Sequence, residues 1–260
     1  MEKELVGFYV SSHPLTERQA EVEAFGSHTT RMCQSMQDGA DATIAGMISA
    51  VRSRVGKTGQ SAGKKWAIVE IEDLEGKIEG MVFAKTYEEL TARDPDALKA
   101  DRVVLVRAKV DRKREQACLI VNEVQPLEVA AAALTTGVKL RVDPLVTQPA
   151  TIELLKGVLG KHKGGCETFF AVQLADGKQL PIQLPKEFRV KPTKELHADV
   201  EHLLGHGSYE AIGPGTRRKK MQEQQQKMFE EQQAAEAAAA ALHASEDAAI
   251  AMADAEMEAV

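Results

Sequence analysis

Across residues 41–129 the apolar positions fall at the two-residue period of half-buried strands. Ala67, Val69 and Ile71 share one side of a short segment, with Trp66, Ile68 and Glu70 on the other. Farther on, Val104, Val106, Ala108 and Val110 line one side, and Val103 and Leu105 run into Arg107 and Lys109 on the other. This patterning predicts strands over 43–55, 66–72, 77–84, 102–111 and 117–124, with a helix over 86–99 that holds Tyr87, Leu90 and Leu98 among charges. The first strand is apolar on both sides from Ile44 to Ile48, and Gly46 interrupts it as a bulge or tight bend requires. Asp73-Leu74-Glu75-Gly76 reads as a turn.

Five strands with one helix inserted before the fourth is the order of an OB barrel, a fold that grips single-stranded nucleic acid. Either side of it the pattern changes. Leu5, Phe8 and Tyr9 have helical spacing, and Pro14 stops that helix at His13. A helical turn follows over 16–25, then a polar connection. Beyond the barrel, the small residues 130–133 read as a link and 138–142 as a strand. A helix capped by Thr147 or Thr151 carries Ile152, Leu155 and Leu159 on one face, and Gly164-Gly165 ends it. A hairpin over 168–174 and 179–184 turns at Asp176-Gly177. A helix over 194–204, closed by Gly205, and a strand over 208–212 complete the unit. The fold class expected is mainly β plus α+β. It comprises a helical lead-in (1–40), the barrel (41–130), a small α+β domain (131–215) and an Ala/Gln-rich tail (216–260) in a helical or disordered state.

Composition narrows the function classes. The three cysteines are scattered, which points to a reducing cytoplasm and away from a zinc ribbon or disulfide scaffold. No apolar run approaches the roughly 18 residues needed to span a bilayer. The charged start, Met1-Glu2-Lys3-Glu4, does not suit a signal peptide. A net charge of −6 argues against a nucleic-acid binder, but the tail, with five basic and nine acidic residues, supplies −4 of it.

Within the barrel the charges are sorted. Arg52, Arg54, Lys57, Lys64 and Lys65 crowd the loop between the first two strands with no acid among them. Arg107, Lys109, Arg112, Lys113 and Arg114 crowd the turn after the fourth strand, opposed by Asp111 alone. Such stripes, not net charge, form an electrostatic footprint for nucleic acid. These ten cations, with Trp66, are the candidate nucleic-acid-binding residues. Trp66 is the one tryptophan, set beside Lys64 and Lys65, where a stacked base is worth about 1–3 kcal/mol. Phe83 reads as a core residue.

Other constellations carry no chemistry. Glu70, Glu72, Asp73 and Glu75 could in principle pair carboxylates for two metal ions, but alternation and turn position make them a solvated hairpin. Gly56-Lys57-Thr58 and Gly63-Lys64-Lys65 lack the full spacing of a phosphate-binding loop. His197, His202 and His206 do not share a helical face and read as solvent-facing. No catalytic residue, metal ligand or cofactor is assigned. Gln225, Met228 and Phe229 fit the Q-x-x-hydrophobic-Phe pattern of sliding-clamp-binding peptides and are candidate clamp-binding residues.

Two blocks carry a family resemblance. Glu2-Lys-Glu-Leu-Val-Gly-Phe-Tyr-Val-Ser-Ser-His-Pro-Leu15 resembles the segment leading into the OB domain of the bacterial DNA polymerase III alpha subunit. Trp66-Ala-Ile-Val-Glu-Ile-Glu-Asp-Leu-Glu-Gly-Lys-Ile-Glu-Gly-Met-Val-Phe83 is similar to the second hairpin of that domain. The resemblance extends to about residue 212. It implies the C-terminal portion of that nucleotidyltransferase, with the catalytic palm outside the matched region, so the chain is expected to be inactive alone. The opening Met in mid-family sequence suggests a split or truncated gene product, or an incompletely delimited gene. The implied partners are single-stranded DNA, a tau-like clamp loader subunit at residues 131–215, and the remaining polymerase regions. A stand-alone OB module for RNA or tRNA, and a protein scaffold without nucleic-acid binding, are the rival readings.

Overall fold

The computed structural model describes residues 14–58, 62–113, 116–174, 177–216, 218 and 228. The helix expected over 1–13 therefore lies outside the described residues, as does Asp176 of the hairpin turn. Residues up to Thr216 form one compact unit.

Two short helices, α1 (Pro14–Glu17) and α2 (Gln19–Phe25), open the described chain. A third, α3 (Thr30–Ser35), occupies what reads in sequence as a polar connection; Thr29 caps it by accepting from Met32 N at 3.2 Å. The barrel follows: β1 (Asp41–Val55), β2 (Lys65–Glu72), β3 (Lys77–Val82), α4 (Ala84–Arg93), β4 (Val103–Asp111) and β5 (Cys118–Pro126). It closes in the order β1-β2-β3-β5-β4, with β3 and β5 parallel at the seam. Helix α4 is shorter than its charge pattern suggests, ending at Arg93 before a set of turns. Phe83, expected in the core, stands 47% exposed at the N-terminus of α4, because the chain has already turned out of β3 there.

The periodicity of β2 translates directly into burial, with Ala67, Val69 and Ile71 inside. Strands β1 and β4 are apolar on both faces for a reason that the barrel alone does not supply. One face fills the barrel with Ile44, Ile48, Val104 and Val106. The other, with Ala45, Met47, Val103 and Leu105, is covered by Phe25 and Val22 of α2 and by Leu127 and Ala130 of α5 (Leu127–Leu134). Helix α5 thus replaces the small-residue link expected at 130–133. Gly46 lies where β1 meets the end of β2, and a Cβ there would sit 2.4 Å from Glu72 O. The close approach is what requires glycine; the register shift in β1 falls between Ile48 and Ala50.

Beyond α5 come β6 (Gly137–Val142), α6 (Pro149–Lys161), β7 (Lys163–Gln173), β8 (Gln179–Gln183), α7 (Lys194–Leu204) and β9 (Tyr209–Ile212). The sheet order is β8-β7-β6-β9, with β6 and β7 parallel across the α6 crossover. Leu155, Leu159, Leu196 and Val200 of the two helices pack against Val138 and Leu140. The cap of α6 is Gln148, without a side-chain bond, and not Thr147 or Thr151; Pro149 starts the helix by fixing φ. Gly164 and Gly165 do not end that helix but lie in β7. Gly213 and Gly215, after β9, fold back onto α2: Cβ atoms there would fall 2.5 Å from Ala24 O and 2.1 Å from Glu23 O.

The α7 end has a carboxylate clamp. Glu201 Oε1 accepts from Gly207 N at 2.7 Å and faces His197 Nε2 at 3.2 Å, and Oε2 lies 3.1 Å from His206 Nδ1. His197 is half-buried and stacked on Tyr209, with ring centroids 4.5 Å apart, so it is not a solvent-facing residue. Burial pushes the Glu201 carboxyl up, but the Gly207 N–H and the two imidazoles outweigh it and hold it below its ordinary 4.5. A lowered folded-state value stabilises above the unfolded one and is lost as pH falls through the folded one. Glu201→Gln is therefore expected to flatten the fall of thermal midpoint on acidification below about pH 4.3, as measured by melting at stepped pH.

Candidate nucleic-acid interface

The outer face of β1, β2 and β3 is set by register. Arg54 pairs with Trp66, and Arg52 with Ile68, which pairs in turn with Met81. Below them Ala50, Glu70 and Glu79 form the next row. Because opposite residues in an antiparallel pair share a face, Arg54, Trp66 and Arg52 stand together on the outside. Trp66 and Ile68 are half-buried, opposite the core set.

Ion pairing divides the cations. Arg52 is bound to Glu79 at 2.9 Å. Lys77 reaches Glu70 at 3.1 Å and Glu72 at 3.2 Å, and Ser49 Oγ donates to Glu70 at 2.6 Å. That hydroxyl and the Lys77 ammonium hold the Glu70 carboxyl below its usual range. The middle of the face is therefore charge-balanced. Its end is not: among the described residues Arg54, Lys57, Lys64 and Lys65 are exposed and without a carboxylate partner. They surround a loop tightened by Gly56 N donating to Lys64 O and Gly63 N to Gly56 O, both at 2.9 Å. Gly63, at φ +77°, makes the turn that returns the chain to β2.

The second basic cluster is more constrained. Arg107 faces Glu123 at 3.4 Å and Lys109 faces Asp41 at 3.8 Å. Arg112 ties the β4–β5 turn to α3, donating from Nη1 to Gln34 O at 3.0 Å and Met36 O at 3.1 Å. Lys113 is exposed, and Arg114 lies outside the described residues. A groove of about 660 Å³ lies beside Arg112, lined also by Glu70, Lys77, Glu79 and Gln116. Gln34 and Gln116 belong to it but carry no charge or period that marks them in sequence.

The acidic turn is not a solvated hairpin throughout. Asp73 is buried and accepts from Thr30 N at 2.6 Å, Thr30 Oγ1 at 2.7 Å, Glu75 N at 2.8 Å and Gly76 N at 3.1 Å. The Cys33 thiol nearby is pushed up to about 11 by its own burial first and by the Asp73 charge second. The sequence signal was available: Thr29-Thr30 begins a helix, and an Asx turn (a carboxylate accepting from the amides after it) pins the hairpin against it. Among the described residues no group of three or more His, Cys, Asp or Glu is arranged to hold a metal ion. No helix among them is long and apolar enough to cross a membrane. Met228 is exposed; Gln225 and Phe229 lie outside the described residues.

Residues 42–127 match a family model described as an OB-fold nucleic acid binding domain, tRNA_anti-codon. The DNA polymerase III subunit alpha of Mycobacterium tuberculosis is 29% identical over 213 residues, covering 80% of this chain and 17% of the relative. That of Neisseria meningitidis is 28% identical over 213 residues, with the same coverages, 80% and 17%. Among solved structures, OBody AM1L10 bound to hen egg-white lysozyme aligns with 39% of this chain and 91% of its own, at 19% identity and a TM-score of 0.30. The chain therefore carries an OB-fold domain homologous to a region of DNA polymerase III alpha, and spans about one-sixth of the length of the curated relatives it matches.

Proposed function

We propose that this chain acts in DNA replication as a non-catalytic, cytoplasmic polymerase III alpha-like module. Its barrel holds single-stranded DNA near the polymerase, and its second sheet docks a replisome protein such as a tau-like clamp loader subunit. The observation that carries the first part is the cluster of Arg54, Lys57, Lys64 and Lys65 beside Trp66, left without carboxylate partners while the rest of the face is paired. Unpaired cations attract a phosphate backbone at no cost of breaking ion pairs, and an aromatic ring beside them offers a stacking platform.

The docking role draws on large apolar side chains left exposed by the second sheet. Leu145, Val146, Leu174 and Leu180 lie toward the end where Val142, Val172 and Leu180 align in register. Strand pairing at the β8 edge is disfavoured: Pro181 occupies a position whose N–H would point outward, so contact there is through side chains. The pattern at Gln225, Met228 and Phe229 adds a clamp-binding peptide to this reading.

The test is an anisotropy titration of a labelled single-stranded oligonucleotide at several salt concentrations. The log–log salt plot is expected to be linear, falling by about 0.7 per phosphate contacted. An Arg54/Lys57/Lys64/Lys65 quadruple alanine variant should have a slope shallower by about 2–3, whereas Arg52→Ala, freeing Glu79, should change it little. Absence of binding at low salt would leave the barrel as a protein scaffold; preference for RNA over DNA of equal length would favour an RNA-binding module.

A further inference from the structure

Residues 161–165 and 189–194 are far apart in sequence and pressed together in the fold. Gly164 N donates to Arg189 O at 3.0 Å and Lys191 N to His162 O at 2.8 Å, and Lys163 and Cys166 both bridge to Val190. The backbones are so close that a Cβ on Gly164 would sit 2.4 Å from Lys191 N. The two segments bring together Lys161, Lys163, Arg189, Lys191 and Lys194 and contain no Asp or Glu.

Neighbouring acids neutralise only part of this charge. Glu167 binds Arg189 at 3.0 Å, and Asp199 faces His162 at 3.1 Å. Glu195 stands exposed beside Lys194. Lys161, Lys163, Lys191 and Lys194 are exposed and, among the described residues, none makes an ion pair with a carboxylate, Glu195 acting on Lys194 only at longer range. Lys191 and Lys194 also form one lip of a cleft of about 350 Å³ against α2 and α5. The acids lining it are already paired: Glu21 and Glu128 are held by Arg18, the second at 3.3 Å, and Glu210 by Lys139. Four like charges on two rigidly joined segments repel one another, and a polyanion relieves that repulsion. Exposed Gly165, whose Cβ would meet nothing within 4 Å, adds no side chain that would hold a strand away.

We propose that this lysine knot is a second nucleic-acid contact, outside the barrel, that grips the phosphate backbone of single-stranded DNA. It goes beyond the barrel reading and shares only its ligand class. A strand of about 8 nucleotides is occupied by one OB barrel; the knot engages longer strands.

The full chain is titrated with labelled oligo-dT of about 8 and about 30 nucleotides. Three variants are compared: the four knot lysines to alanine, the same four to arginine, and the barrel quadruple alanine variant. Circular dichroism checks each fold. The knot alanine variant is expected to bind the short strand as wild type does. It should bind the long one about tenfold more weakly, with a salt slope shallower by about 2, and the arginine variant should restore both. Unchanged long-strand binding in the knot alanine variant, with loss in the barrel variant, overturns the knot and leaves the barrel reading standing. Loss in the knot variant with none in the barrel variant supports the knot and overturns the barrel reading. No binding of either strand by wild type at low salt overturns both.

Discussion

Gly46→Ala is expected to destabilise the compact unit by about 3–4 kcal/mol, lowering the thermal midpoint by about 6–16 °C. The added methyl carbon would stand 2.4 Å from Glu72 O, so backbone must move away from backbone. Neither strand can retreat freely. β1 is bonded to β4 from Asp41 to Met47 and to β2 from Met47 to Val55, so Gly46 lies next to the point where it changes partner. Displacing it there opens the barrel at the seam between its two halves. Gly160→Ala is the control. Its Cβ meets nothing within 4 Å on helix α6, so the higher helix propensity of alanine should stabilise by about 0.5–1 kcal/mol. Melting curves of the two variants should shift in opposite directions. A Gly46→Ala midpoint equal to wild type would show that the strands give way cheaply.

The second large effect is expected at Asp73→Ala. One buried carboxylate there accepts four donors, two from Thr30 and two from its own turn. Removing it leaves three backbone N–H groups without that acceptor, at a cost of about 3 kcal/mol and about 6–12 °C in midpoint. Thr30→Val deletes only the hydroxyl donor and should cost about 1 kcal/mol. A double variant should cost no more than Asp73→Ala alone, since both remove the same bond. Additive effects would mean that the two residues act independently.

The barrel was legible in sequence because its central strand is half-buried, so β2 alternates cleanly. Lead-in and linker helices were harder. Helix α5 buries Leu127 and Ala130, and so small an apolar face in an alanine-rich run looks like a spacer. Gly164 and Gly165 look like helix terminators; Gly164 is there because β7 is crowded by the segment around Val190, a distant neighbour. The candidate interface divides in the same way. Basic clusters are visible from composition along the chain, but their partners are not. Glu79, which holds Arg52, and Asp41, which faces Lys109, are brought there by strand register. The lysine knot is assembled from two modest segments, neither of which stands out alone.

The return of Gly213 and Gly215 onto α2 has a consequence for biosynthesis. These contacts join the first and last parts of the compact unit, so they form only when almost all of it has been made. At about 5–20 residues per second, synthesis separates the two partners by about 10–40 s. Over that interval Phe25 and Val22 can already settle on Ala45 and Met47 of the finished barrel. The nascent chain thus carries a folded barrel with its covering helices, and the second sheet locks on as the last event of its maturation.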